Sequence, residues 1–106
     1  MEFLIKKGDR LPPLEATVLD EEGSPIDLTG YTSVIFKMWD PRKGTSIISS
    51  EAEVPDAPNG KVRYSWKSGD TSVPGLYFGE FKILFGDQQL TFPNFDYIRI
   101  RILESV

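Results

Sequence analysis

Tyr97-Ile98-Arg99-Ile100-Arg101-Ile102 alternates apolar and polar side chains without a break. In an extended chain successive side chains point to opposite faces. Ile98, Ile100 and Ile102 therefore share one face, and Arg99 and Arg101 the other. The run is too β-branched and too strictly period-two for a helix. It predicts a strand with one side in a core and the other in water.

The same pattern recurs toward the N-terminus. Tyr77, Phe81, Ile83 and Phe85 fall on one side of an aromatic run, with Gly79 inside it as an expected bulge. Val62, Tyr64 and Trp66 alternate with Lys61, Arg63, Ser65 and Lys67. From Thr32 to Trp39 the chain is β-branched and aromatic, with Val34, Phe36 and Met38 on one face. Phe3 to Lys6 and Leu14 to Leu19 predict two more strands, and Ser46 to Val54 a single, more polar one.

Nine glycines and eight prolines punctuate the whole length. Outside the last thirteen residues no stretch free of both exceeds ten, which leaves little room for a helix of ordinary length. Asp20-Glu21-Glu22-Gly23, Asn59-Gly60 and Pro74-Gly75 supply turn chemistry, and Gly86-Asp87 marks the tip of a tight hairpin. Seven to eight short, mainly antiparallel strands at this spacing predict an all-β fold, a sandwich or small barrel. With 106 residues and no linker or repeat, residues 1–106 form one domain. Roughly two-thirds of the unfolded surface can be buried at this length, enough for one core.

Composition narrows the chemistry. Cysteine and histidine are both absent, so disulfides, zinc–thiolate sites and the usual general base near neutral pH are excluded. The net charge of −4 argues against nucleic acid as a partner. No membrane span, signal peptide or Asn-x-Ser/Thr sequon is present, which predicts synthesis in a cytoplasm. Nucleophile elbows, phosphate-binding loops and zinc-protease helices are missing as well. The expectation is a chain with no catalytic residues, no metal site and no cofactor.

Three groups of residues could carry binding instead. Asp20, Glu21, Glu22 and Asp27 cluster near one turn, but lack the alternating pattern of a calcium loop, and a solvated turn explains them. Trp66 shares a face with Val62 and Tyr64 and belongs to the core. Trp39 faces away from Met38 beside Asp40-Pro41, either packed under a loop or half-exposed as a platform for a sugar or protein. Tyr31, Phe92, Phe95 and Tyr97 could add to such a patch or close the end of a sandwich. Lys61, Arg63, Lys67, Arg99 and Arg101 make a basic outer face if their two strands are neighbours. Such a face either keeps edges apart or docks an acidic partner. Trp39, Tyr31, Arg99 and Arg101 are the candidate contact residues.

The order of short signals adds a resemblance. Lys7-Gly8-Asp9 follows the first strand, and Asp20-Glu21-Glu22-Gly23-Ser24-Pro25-Ile26-Asp27-Leu28-Thr29-Gly30 follows the second. Asn59-Gly60-Lys61-Val62-Arg63-Tyr64, Gly75-Leu76-Tyr77 and Leu90-Thr91-Phe92-Pro93 come next, before Tyr97-Ile98-Arg99-Ile100. From about residue 4 to 102 this succession resembles the immunoglobulin-like N-terminal domain of phage baseplate upper proteins and related small tailed-phage modules. The resemblance implies an immunoglobulin-like β-sandwich that anchors receptor-binding or fibre machinery. It also implies a virion location and other virion proteins as partners, in a homo-oligomer or ring. Family members continue into helical and receptor-linking segments. A chain ending at Val106 is therefore expected to be an adaptor, a decoration protein or part of a longer chain. A carbohydrate-binding or adhesion module, with a glycan on Trp39 or Tyr31, is the alternative. An enzyme would need convergent carboxylates in a cleft.

Overall fold

The computed structural model describes residues 1–44 and 46–105, and all of its regular structure is β. Nine strands follow in chain order: β1 (Glu2–Lys6), β2 (Leu14–Thr17), β3 (Ser33–Trp39), β4 (Ser46–Glu51), β5 (Glu53–Asp56), β6 (Lys61–Tyr64), β7 (Gly75–Phe85), β8 (Gln88–Phe92) and β9 (Ile98–Leu103). They form two sheets. The larger runs β1-β9-β7-β3-β4, with β8 also paired to β7, and the smaller runs β2-β6-β5. All pairings are antiparallel except β1 with β9.

Taken in order, β2 to β7 and β9 occupy the places of strands B, C, C′, D, E, F and G of an immunoglobulin domain. A G-F-C-C′ sheet thus packs over a B-E-D sheet. A further feature of that fold is present. Tyr77, near the start of β7, donates its hydroxyl to the Val73 carbonyl four residues upstream at 2.7 Å, as the tyrosine corner does.

The inward faces are those that alternation predicts. Val34, Phe36 and Met38 of β3, Phe81 and Ile83 of β7, and Ile98, Ile100 and Ile102 of β9 are buried against Leu14, Ala16, Val62 and Tyr64 of the smaller sheet. Phe36 sits among aromatic rings. It stacks on Tyr64 at 4.6 Å between centroids and meets Phe81 at 5.2 Å and the edge of Trp66 at 6.0 Å. Trp66 is buried as expected. Its Nε1 is the one fully buried side-chain polar atom without a partner among the described residues.

Three local expectations are corrected. Gly79 lies in an unbroken register, opposite Met38 on β3 and Ile98 on β9, not in a bulge. A Cβ there would come within 2.7 Å of Ile100 Cδ1 and 3.1 Å of the Phe36 ring, so the glycine makes room for the core. The stretch Ser46–Val54 is two strands, because the chain leaves the larger sheet at Ala52 and enters the smaller one as β5. The strand expected over Leu14–Leu19 ends at Thr17, leaving Leu19 in an isolated bridge to Pro25. The hairpin at Gly86-Asp87 is present: Phe85 pairs with Gln88, and Gly86 takes φ +65°.

One edge of β7 serves two strands in succession. Gly75–Gly79 pair with β9 and Phe81–Phe92 begins the pairing with β8. Between them, Pro93 lacks the amide that would continue the ladder. The chain leaves the sheet over residues 93–97 before re-entering as β9. Asp96 holds φ +75° in this excursion, and Phe95 is 81% exposed.

Candidate functional site

The outer face of the larger sheet carries the most distinctive surface of the molecule. Register places Trp39 of β3 opposite Phe78 of β7, and Phe78 opposite Arg99 of β9. Tyr97, at the end of the excursion, turns outward because Ile98 turns inward. The three rings form one cluster. Tyr97 stacks on Phe78 with centroids 5.2 Å apart, and its ring meets Trp39 edge to face at 5.0 Å. Trp39 also meets Phe78 edge to face at 6.3 Å. Trp39 and Phe78 are half-buried and Tyr97 is 40% exposed.

Charged side chains frame it. Arg99 bonds Asp96 at 3.2 Å on one side. On the other, Lys82 pairs with Glu80 at 3.3 Å, and Lys37 stands opposite Glu80 in the register. Lys37, Glu80 and Lys82, with Trp39, Gly44 and Ser46, line a shallow hollow of about 240 Å³. The face thus has an apolar centre and an ion-paired rim.

The four candidate contact residues divide. Trp39, Arg99 and Arg101 all lie on this outer face. Tyr31 does not join them: it precedes β3, where Thr32 bonds the Leu84 carbonyl, whereas Trp39 ends that strand. The two are separated by roughly 25 Å of extended chain at about 3.3 Å per residue. Phe78 and Tyr97 complete the cluster that Trp39 alone suggested. Tyr97 is one of the aromatics the sequence offers for such a patch, and alternation on β7 could have found Phe78; only the register brings the rings together.

The proposed basic face does not form. Lys61 and Arg63 are on β6 in the smaller sheet, and Arg99 and Arg101 are on β9 in the larger, so the two strands are not neighbours. Each cation on or near β6 is also locally engaged. Arg63 pairs with Glu53 at 3.0 Å and approaches Glu15 at 3.9 Å, Lys61 bonds Thr17, and Lys67 bonds the Ser50 hydroxyl.

Several other carboxylates serve turns. Asp20 accepts the amides of Glu22 and Ser24, and Asp27 accepts the Thr29 amide and hydroxyl. Hydrogen bonds from Thr29 hold the Asp27 carboxyl below its ordinary range. Asp40, at the foot of the cluster, accepts from Arg42 Nε and Nη2 and from the Arg42 amide, and these bonds lower its pKa likewise. Tyr64 donates to Asp70 at 2.6 Å, and burial first, then Asp70, raises its pKa. Among the described residues no three acidic side chains converge as metal ligands would, and no helix is long and apolar enough to cross a membrane.

Comparison with known proteins agrees with the topology. No curated protein matches the chain. The family model of the BppU N-terminal domain, that of the phage baseplate upper protein, matches residues 5–100, from β1 into β9. With nearly its whole length matched on a sandwich of this strand order, the chain belongs to the BppU N-terminal domain family.

Proposed function

We propose that the protein is a non-enzymatic structural module of a bacteriophage particle, which docks onto other virion proteins through the outer face of its larger sheet. Membership of a baseplate-protein family supports the virion setting. The observation that carries the docking face is the Trp39–Phe78–Tyr97 cluster. A sheet face that needed only solubility would carry polar residues at these register positions, as the outer face of β4 does with Ser49 and Glu51. Aromatic rings held by one another lose little conformational freedom on binding, which suits them to anchor an interface. Particle symmetry would repeat the contact, so a weak single interface suffices when many act together.

A peptide inventory of purified particles by mass spectrometry tests the virion setting. The module is expected at a fixed copy number, a multiple set by the ring or vertex it occupies. Its absence from particles that yield their other minor proteins would contradict the proposal. Glycan arrays would then become the informative screen for the same aromatic face.

A further inference from the structure

We infer that β1 is a self-pairing edge, through which two copies of this chain join their larger sheets about a two-fold axis at Leu4. This inference stands independently of the docking face proposed above. β1 is the last strand of its sheet, with β9 on one side only. On that side Arg99 donates to the Met1 carbonyl and Lys7 donates to the Leu103 carbonyl. Residues of odd number therefore direct their backbone groups at β9. Those of even number, Glu2, Leu4 and Lys6, direct theirs away from it.

Antiparallel pairing of β1 with a second β1 in the register centred on Leu4 places these residues together. Leu4 meets its own copy, and Glu2 of each chain meets Lys6 of the other. These are the positions whose amides and carbonyls are free to exchange, as a hydrogen-bonded antiparallel pair requires. The Lys6 carbonyl already accepts the Asp9 amide at 3.0 Å. Four unencumbered ladder bonds remain: two between the Leu4 residues, and one from each Lys6 amide to a Glu2 carbonyl.

The side chains favour the same register. Glu2, Leu4 and Lys6 share the outer face, and all three are exposed. Charge complementarity is built into the strand. Glu2 and Lys6 flank Leu4 symmetrically, so reversing one copy against another brings opposite charges together at both ends. Among the described residues neither makes an ion pair within the chain. Opposite charges directly across a ladder stabilise it, and like charges destabilise it. Leu4 is 53% exposed and would be covered by its copy. At the Lys6 end, Leu4, Leu11, Pro12 and Leu103 line a hollow of about 340 Å³, where the Met1–Glu2 end of the second copy arrives. The edge strand β5 is guarded by contrast: it carries Pro55 and a register irregularity, both of which blunt strand addition. β1 has neither.

The axis stands perpendicular to the sheet, so the two outer faces and both aromatic clusters point to the same side. The contact involves five residues per chain and is smaller than a stable dimer interface. Association should therefore be weak, concentration-dependent and stronger at low salt.

Sedimentation equilibrium of the chain over a concentration series at low ionic strength tests the inference. The parent is expected to shift from 12.0 kDa toward twice that mass. Glu2→Lys and Lys6→Glu, each alone, should lose the association, because each places like charges at both ends of the pair. An equimolar mixture of the two variants should regain it, and so should the double exchange on one chain. Both positions are exposed, and a thermal melt matching the parent's shows that the variants fold. A parent that stays at monomer mass up to its highest soluble concentration overturns the inference. So do single variants that associate as the parent does, or a mixture that fails to pair.

Discussion

The Tyr77 hydroxyl spans the turn into β7 to reach the Val73 carbonyl. Tyr77→Phe removes that bond and leaves the ring in place, so a loss of about 1 kcal/mol is expected. It should appear as a lower urea midpoint at unchanged slope. Gly79 poses the opposite problem. Gly79→Ala puts a methyl group against Ile100 and Phe36, and overpacking of this kind costs about 1–3 kcal/mol. Trp66→Ala empties a core site and should cost about 3–5 kcal/mol by the same assay. The carboxylates set the response to acid. Asp40, held low chiefly by its hydrogen bonds from Arg42, is more acidic folded than unfolded. Its stabilisation is present above the ordinary carboxylate pKa of about 4 and is lost as pH falls below it. Asp40→Asn should therefore narrow the gap between melting temperatures measured at neutral pH and near pH 3.

At the scale of the elements, much of this fold is legible in the sequence, because alternation is a local property. Ile98, Ile100 and Ile102 declare their face without reference to any other strand, and so do Val34, Phe36 and Met38. Partnership is not local. Lys61 and Arg63 on β6 look like companions of Arg99 and Arg101 on β9 until the topology assigns them to different sheets. The crossing at Ala52 is hidden for a similar reason: β4 and β5 are both polar and half-exposed, so no change of periodicity marks where one sheet is exchanged for the other. Trp39 could be singled out by its position opposite Met38, but its neighbours depend on the register of β3 with β7 and on the excursion over 93–97. Tyr31 illustrates the limit. It precedes the far end of that strand and joins nothing that Trp39 joins. The contrast between the two tryptophans gives a prediction at this scale. Trp39→Ala should cost markedly less stability than Trp66→Ala, since Trp39 is half-buried on an outer face and Trp66 closes the core.

For the molecule as a whole, the division of labour follows from the two faces of one sheet. The inner face holds the sandwich together, and the outer face offers an aromatic cluster framed by ion pairs. In the function proposed above, this outer face fastens the module into a particle. The most direct measurement is the copy number of the Trp39→Ala/Tyr97→Ala double variant in purified particles, relative to the parent, by quantitative mass spectrometry. The variant is expected to fold in solution, with a cooperative melt, and to be depleted from particles at least tenfold if the cluster contributes about 1.4 kcal/mol or more to docking. Incorporation at the parent's copy number would contradict the assignment of that face.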